Sequence, residues 1–212
     1  MEEEKVTKKE EGETSKEEAP LFQKKKEKFV WNFRNVLRSF LWLPLFLIAL
    51  DQISKWAVVD ALMGVPSRSL EVIPHFFYIT LTFNKGSSFG MGGDVSWMRY
   101  VFIVISWLAS AAIFFYWIKN LSKKDTFIDV LLAFCFAGAV GNGIDRTFYW
   151  EGTTGFSGVI DFFQFYIFGY GEGKSSFAIF NVADMYLTCA VAVLIVLLFF
   201  REMKANKKEG KN

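Results

Sequence analysis

Two aspartates of this chain stand inside strongly apolar or aromatic stretches, where a carboxylate is costly. Asp161 lies in VIDFF (159–163), and Asp184 follows Asn181 near the start of the apolar run FAIFNVADMYLTCAVAVLIVLLFF (177–200). A carboxylate at the centre of a membrane helix costs about 2.5–3.5 kcal/mol even on lenient insertion scales, so such residues are candidates for a functional site. Asn181 and Asp184 are three residues apart and share one face of a helix.

A pair of carboxylates in a water-poor site has a specific chemistry. The two groups repel each other, so they share one proton and their apparent pKa values separate. One can then act as a general base on water while the other, protonated, polarises a carbonyl group. This is the arrangement of aspartic proteases, and it requires no metal, cofactor or nucleophilic side chain. Two aspartates that meet would therefore predict a hydrolase.

The sequence offers little from which to build a metal site. It contains one histidine, His75, and two cysteines, Cys135 and Cys189, both within apolar runs. A structural zinc site takes four Cys or His ligands, usually from closely spaced pairs. We therefore expect no metal, and we expect both cysteines to be buried as small hydrophobic residues.

Further polar residues are embedded at the ends of apolar runs or in the connections between them. They lie in DQISK, NKGSSFG and GNGIDR and are Asp51, Lys55, Asn84, Gly86, Asn142, Asp145 and Arg146. Pairs four residues apart, such as Asp51 with Lys55, are neighbours on a helix. The motifs also admit purely structural interpretations: a helix-surface ion pair in DQISK, a turn in NKGSSFG and an interfacial helix cap in GNGIDR.

A serine–lysine pair is an alternative source of hydrolytic chemistry. Ser54 and Lys55 are adjacent in sequence, so they do not face each other on a helix. Lys85 with Ser87 or Ser88 is the other combination that the sequence offers.

The elements that must position these residues are membrane spans. Of the 212 residues, 52% are hydrophobic and 18% aromatic, which is too apolar for a soluble domain of this size. A helix needs about 20 apolar residues to cross a bilayer. Four stretches qualify, approximately 39–59, 99–118, 127–144 and 179–200. The third is the shortest and ends at a stretch rich in glycine and asparagine.

Charge sets the orientation of the four spans. Residues 1–28 are mostly charged and predict a disordered tail, 29–203 form the four-span domain, and 204–212 form a basic tail. In this arrangement 18 of the 24 Lys and Arg residues fall on one side, which predicts that both termini are cytoplasmic. All the embedded polar motifs then converge on the opposite, extracytoplasmic face.

The two long outer connections differ in pattern. Polar and apolar residues alternate in 76–83, which predicts β-strands. The connection 145–178 mixes aromatic residues with glycine, and we expect it to form an interfacial loop that lies against the membrane.

Taken in chain order, DQISK, FNKGSSFG, GAVGNGIDR, VIDFF and FNVAD resemble the motifs of the lipoprotein signal peptidase (signal peptidase II) family, over roughly residues 40–200. The resemblance implies an all-α membrane protein with four transmembrane helices, a small extracytoplasmic β-sheet and an interfacial loop or helix. It further implies an aspartyl endopeptidase of the bacterial cytoplasmic (inner) membrane. Such an enzyme removes the signal peptide from a prolipoprotein immediately before a cysteine that carries diacylglycerol.

The resemblance also implies roles for individual residues. Asp161 and Asp184 would be the catalytic pair, Asn181 would orient them and Ala183 would leave room beside them. The residues implied to shape the site or bind substrate are Asn84, Gly86, Asn142, Asp145 and Arg146, with Asp51 and Lys55 in support. The implied partners are diacylglyceryl-modified prolipoproteins, membrane lipids and globomycin-type inhibitors; no cofactor and no nucleic acid is implied.

Two features depart from the family's pattern. Ser88 stands where the family often has alanine, and GYGEGKSS (169–176) is longer than the corresponding segment of short members. Both bear on how a substrate fits.

Two other functions are open on the sequence. A proton-coupled transporter would also place carboxylates in the membrane, but it would need polar residues near the midplane and paired broken helices. A scaffold for a membrane complex would use the two long aromatic connections as docking surfaces.

Overall fold

The computed structural model describes residues 30–86, 97–121, 125–149, 151–171 and 175–209. Within these ranges the elements are α1 (Phe33–Arg38), α2 (Leu43–Leu62), β1 (Ser69–Ile73), β2 (Phe77–Asn84), α3 (Met98–Asn120), α4 (Thr126–Phe148), α5 (Glu151–Thr154), β3 (Val159–Phe165) and α6 (Val182–Glu209). The expectations for the tail 1–28, for Ser88 and for part of the 169–176 insertion fall outside the described residues.

Three of the described helices are long and apolar enough to cross a membrane: α3, α4 and the first 23 residues of α6. In α4, 61% of the apolar window is buried inside the protein, against 11% in α3 and in α6. Helix α4 is therefore the central helix, and it packs against α2, α3 and α6. The outer faces of α3 and α6 expose large apolar side chains such as Leu108 and Ile195, as expected of helices in contact with lipid.

Helix α2 corresponds to the first expected span, but it is not among these three. It has 20 residues, and every stretch of it that is long enough to span contains Asp51, Lys55 and Asp60. The charged side chains of Asp51 and Lys55 do not face outward, because both are fully buried against α4 and α6. The outward-facing side chains of α2 include the apolar residues Leu45, Phe46 and Ile53. That α2 crosses the membrane is therefore a proposal.

The stretch GNGIDR lies inside α4. The sequence placed the end of the third span at 144, whereas the helix continues to Phe148. Glycine here serves close packing: a Cβ at Gly138 would lie 2.5 Å from the carbonyl oxygen of Ala183, and a Cβ at Gly141 would lie 2.6 Å from Asp51 Oδ2. These two positions let α4 approach α6 and α2 at the level of the buried polar residues.

The β-sheet has three antiparallel strands in the order β1-β2-β3. The alternation at 76–83 corresponds to β2, as predicted. The sequence predicts an interfacial loop at VIDFF, whereas the structure has strand β3 there. Strand β3 is hidden from periodicity analysis because Val159 to Phe162 are buried whichever way they point. The segment before α6 covers the other side of β3, with hydrogen bonds between Phe163 and Phe180.

Helix α6 begins with a reciprocal capping interaction. The side chain of Asn181 accepts a hydrogen bond from the backbone N–H of Asp184 (3.0 Å), and Asp184 accepts one from the backbone N–H of Asn181 (3.2 Å). This is the geometry of a capping box, which satisfies two otherwise unpaired donors at a helix start. It explains why the helix begins at Val182 rather than at 179, and it fixes both side chains relative to the helix axis.

The two cysteines differ in environment. Cys135 is buried, as expected, but Cys189 is exposed on α6. The expectation was wrong for Cys189 because an apolar helix that faces lipid offers exposed positions to small hydrophobic residues as readily as buried ones.

Candidate active site

The two aspartates come from different elements and meet at the junction of the sheet with α4 and α6. Asp161 is on β3 and only 3% exposed, and Asp184 is in the first turn of α6 and half-buried. Asp161 Oδ1 accepts a hydrogen bond from Asn181 Nδ2 (2.7 Å), and Asp184 Oδ1 accepts one from Asn142 Nδ2 (2.7 Å).

Two asparagines connect the carboxylates. Asn181 Nδ2 also donates to Asn142 Oδ1 (3.0 Å), so an unbroken path of hydrogen bonds leads from Asp161 through Asn181 and Asn142 to Asp184. The orientation of each amide is fixed, because Asn181 Oδ1 accepts from a backbone N–H and Asn142 Oδ1 accepts from Lys55 Nζ (3.1 Å). Both asparagines therefore present N–H groups to the carboxylates.

Beneath this pair lies a fully buried ionic network. Lys55 Nζ is 2.8 Å from Asp51 Oδ2 and 2.8 Å from Asp145 Oδ2, and all three side chains have no exposed surface. With Asn142, the ammonium group has three acceptors for its three protons. Buried ions need this degree of pairing, because desolvation costs several kcal/mol per ion.

The outer connection of NKGSSFG contributes the second donor to Asp161. Asn84 Nδ2 donates to Asp161 Oδ2 (3.0 Å), and Asn84 Oδ1 accepts from the backbone N–H of Gly86 (3.0 Å). Gly158, just before β3, allows this contact: its φ of +121° favours glycine, and a Cβ there would lie 2.6 Å from the carbonyl oxygen of Asn84. Gly86 thus acts by orienting Asn84.

Burial and charge together favour a protonated Asp161. Burial in the protein, and secondarily the negative charge of Asp184, raise the pKa of Asp161 to about 7. The hydrogen bond from Asn84, the charge of Lys55 and the hydrogen bond from Asn181 act in the opposite direction. Asp184 lies instead in the first turn of α6, is half-buried and accepts a hydrogen bond from the backbone N–H of Asn181 (3.2 Å). The two carboxyl groups therefore have different environments, as an acid–base pair requires.

Arg146 lies beside the site without an ion pair to either aspartate among the described residues. Its Nη1 approaches Asn142 O (3.4 Å) and Ser106 Oγ (3.5 Å), and its guanidinium lies 6.0 Å from the Phe102 ring centroid. Ala183 is fully buried against α4, where the Cβ of a larger residue at Gly141 would meet it at 3.2 Å.

The geometry disfavours the serine–lysine alternative at Ser54. Its hydroxyl donates to the backbone carbonyl of Asp51, while the ammonium of Lys55 is used by its three acceptors. Lys85 forms an exposed ion pair with Glu151 (2.9 Å), and its possible serine partners lie outside the described residues.

Sequence reasoning missed three polar residues of the network: Gln52, Trp56 and Tyr149. Gln52 donates to Asp145 and Asp51 and accepts a hydrogen bond from Tyr149, whose hydroxyl accepts one from Trp56. Gln52 follows Asp51 directly, so its position within DQISK was a signal that went unused. No signal in the sequence relates Tyr149 to Gln52, since 97 residues separate them.

Comparison with known proteins identifies the family. A family model described as "Signal peptidase (SPase) II" matches residues 43–200, which includes every element from α2 to most of α6. The chain belongs to the signal peptidase II family. The lipoprotein signal peptidase of Pseudomonas syringae pv. tomato (strain ATCC BAA-871 / DC3000) is 32% identical over 170 residues, which cover 80% of this chain and 90% of that protein.

Solved structures agree with this assignment. Two structures of a bacterial membrane enzyme, obtained by the in meso method at 2.3 Å and 1.9 Å resolution, share 32% and 33% identity with this chain. The TM-scores are 0.59 and 0.58; the similarity covers 81% of this chain in both cases and 91% and 96% of the respective structures. The resemblance drawn from the motifs is thus confirmed, and this signal peptidase II family member is an integral membrane peptidase built mostly from helices with a small β-sheet.

Proposed function

We propose that this protein is an aspartyl endopeptidase that removes signal peptides from diacylglyceryl-modified prolipoproteins, cleaving immediately before the lipidated cysteine. The observation that carries the proposal is that Asp161, on strand β3, and Asp184, on helix α6, lie on one path of hydrogen bonds through Asn181 and Asn142. Family membership supports the class of substrate.

In the proposed mechanism the resting dyad holds one proton, on Asp161. The Asp184 carboxylate takes a proton from water as the water oxygen attacks the scissile carbonyl carbon, and Asp161 gives its proton to the carbonyl oxygen. The tetrahedral intermediate then collapses. The C–N bond breaks, the amine nitrogen takes the proton from Asp184, and the hydroxyl of the intermediate returns a proton to Asp161. The dyad ends as it began.

The remaining residues support this chemistry in the proposal. Asn181 and Asn142 hold the carboxyl groups apart and in register, and Asn84 with Gly86 brings the outer connection over Asp161 where a substrate would lie. Asp51, Lys55 and Asp145 form the buried base of the site, and Arg146 supports its rim. No step requires a metal or a cofactor.

The proposal extends to the surroundings of the enzyme. The apolar outer faces of α3 and α6 would contact the lipids of the bacterial cytoplasmic membrane, with the site near the extracytoplasmic face. A cyclic lipopeptide of the globomycin type would occupy the substrate's place and inhibit.

The decisive experiment is substitution of the dyad. Asp161→Asn and Asp184→Asn should each abolish cleavage of a diacylglyceryl prolipoprotein, followed by mass spectrometry, while the protein remains inserted. General acid–base roles are worth about 10²–10⁴ in rate, and residues that act as a unit are not additive. The double variant should therefore be little worse than either single variant.

Asp60→Asn is a matched control, because Asp60 is also a carboxylate, near the end of α2, but is exposed. Near-normal turnover in either dyad variant would refute the proposed mechanism and make Asp145 the next candidate. The same assay addresses the transporter and scaffold alternatives, since neither would cleave a prolipoprotein.

A further inference from the structure

The buried ionic network is attached to both dyad residues through the backbone. Asp51 Oδ1 accepts a hydrogen bond from the backbone N–H of Ala183 (3.0 Å), the residue before Asp184. Asp145 Oδ2 accepts one from the backbone N–H of Ile160 (3.2 Å), the residue before Asp161. The distance between the carboxylates of Asp51 and Asp145 therefore constrains the distance between the backbone segments that carry Asp161 and Asp184.

Two groups hold these buried carboxylates together. One is the ammonium of Lys55, which contacts both at 2.8 Å. The other is the amide of Gln52, whose Nε2 donates to Asp145 Oδ1 (2.8 Å) and to Asp51 Oδ2 (3.2 Å). Lys55 supplies one positive charge against two negative ones, so the carboxylates retain a net repulsion that a further shared donor reduces.

The amide of Gln52 performs this task only in one orientation, and two aromatic residues fix it. Tyr149 is only 7% exposed, and its hydroxyl donates to Gln52 Oε1 (2.5 Å). The indole N–H of Trp56 donates to the same Tyr149 hydroxyl (2.8 Å), so the single hydroxyl proton is directed towards Gln52. A flipped amide would place its N–H group against the Tyr149 proton and its oxygen against two carboxylates.

We infer that Gln52, oriented by Tyr149 and Trp56, is a positioning residue that sets the separation of Asp161 and Asp184 by holding Asp51 and Asp145 together. The inference rests on the proposed function and adds to it a residue that controls the geometry of the catalytic pair. Gln52 touches neither catalytic carboxylate; it acts through the two buried ones and the backbone N–H groups that they bind.

The separation of the dyad has a measurable consequence in the pH dependence of turnover. The active dyad holds one proton, so the acidic limb of the profile marks gain of a second proton and the alkaline limb marks loss of the shared one. Mutual repulsion keeps the limbs apart, and a wider separation brings them together. The other charged groups that face the dyad, which are Lys55 and Asp51 from α2 and Asp145 and Arg146 from α4, are all retained in a Gln52 variant.

The test is the pH profile of kcat for Gln52→Met in lipid nanodiscs with a diacylglyceryl prolipoprotein. We expect kcat to fall about ten- to a hundred-fold, the cost typical of misplaced catalytic groups, with KM changed little and with the two limbs moved towards each other. Tyr149→Phe, which removes one hydroxyl and keeps the ring, should give the same change at smaller size. Because Tyr149 acts through Gln52, the double variant should match Gln52→Met alone.

Gln164→Met is the matched control. Gln164 is on β3, three residues after Asp161. Among the described residues its amide binds Thr80, Tyr166 and Ser176 but no carboxylate. It should leave the limbs in place. Loss of folded protein alone would lower the whole profile without moving either limb.

Unmoved limbs in both Gln52→Met and Tyr149→Phe, additive effects in the double variant, or an equal shift in Gln164→Met would each overturn the inference. If Gln52→Met does not fold, Tyr149→Phe still decides, since it deletes a single oxygen. The outcome is separable from that of the proposed function. Active dyad variants would refute the mechanism itself, whereas inactive dyad variants beside a normal Gln52→Met would refute only the positioning role.

Discussion

The pKa of Asp161 is set by contributions of opposite sign. Burial and the charge of Asp184 favour the protonated form, whereas N–H groups of Asn84 and Asn181 favour the carboxylate. The folded protein therefore binds a proton between the ordinary pKa of 3.8 and about 7 that the unfolded chain has released. The sign follows from linkage: over this window the contribution of Asp161 to stability falls as the pH rises.

Asn84→Ala tests this balance. The variant removes a donor to the charged form, so the pKa of Asp161 should rise further and the alkaline limb of the turnover profile should move to higher pH by up to about one unit. This is opposite in direction to the shift expected for Gln52→Met, so the two effects cannot be confused. Asn120→Ala is the control, because Asn120 is a half-buried asparagine at the end of α3 whose amide donates to the carbonyl oxygen of Tyr116. In Asn84→Ala, an alkaline limb that stays in place or moves to lower pH would contradict the assignment.

The residues most accessible to sequence reasoning were those whose types are anomalous where they stand. Asp161 and Asp184 attract notice because carboxylates are expensive in apolar stretches, and Lys55 because it lies within a span. Gln52 and Tyr149 do not attract notice, since a glutamine at a helix surface and a tyrosine near a membrane are ordinary. Their importance comes from partners distant in sequence, which only the fold reveals.

At the scale of elements, α4 organises the site because glycine lets its neighbours approach. A Cβ at Gly141 would be 2.6 Å from Asp51 Oδ2 and 3.2 Å from the Cβ of Ala183. Neither can retreat easily, since the Asp51 carboxylate is held by Lys55, Gln52 and a backbone N–H, and Ala183 is fully buried. At Gly143 an added Cβ would have only ordinary contacts, the nearest being Ser106 Cβ at 3.5 Å.

Gly141→Ala should therefore destabilise the protein, and Gly143→Ala should not. Alanine gains about 1 kcal/mol over glycine in a helix, whereas forced overpacking costs about 1–3 kcal/mol and here also disturbs the buried ions. Thermal unfolding in detergent should show a lower Tm for Gly141→Ala and an equal or higher one for Gly143→Ala. Equal Tm values for both variants would mean that helix contact at Gly141 is looser than the distances indicate.

The helices were predictable to within a few residues because long apolar runs are a strong signal, while their ends depended on capping and packing. Helix α6 begins later than expected because Asn181 and Asp184 form a capping box. Helix α4 ends later than expected because its glycines allow close packing against α2 and α6 and do not end the helix. Strand β3 escaped prediction since a strand buried on both faces shows no alternation, and its pairing with β2 requires residues more than 70 apart to meet.

The topology of the whole molecule depends on α2. Three of the described helices are long and apolar enough to span, whereas α2 is long enough but carries Asp51, Lys55 and Asp60. A buried ion pair with a complete set of partners offsets much of the cost of a charged helix in a bilayer, and the exposed side chains Leu45, Phe46 and Ile53 suit lipid contact. We therefore expect α2 to span, as the distribution of Lys and Arg also indicates.

Labelling of single cysteines distinguishes four spans from three. In a variant with Cys135 and Cys189 replaced, a cysteine at Ser15 in the N-terminal tail and one at Gly64 after α2 should react with membrane-impermeant reagent from opposite sides. Gly64 is a suitable position because an added Cβ there meets nothing within 4 Å. Reporters at Gly173, which precedes α6 in the sequence, and at Lys207, near the end of α6, should likewise report opposite compartments, with Lys207 cytoplasmic. If Ser15 and Gly64 react from the same side, α2 does not cross the membrane, and the N-terminal tail lies on the same side as the site that α2 helps to form.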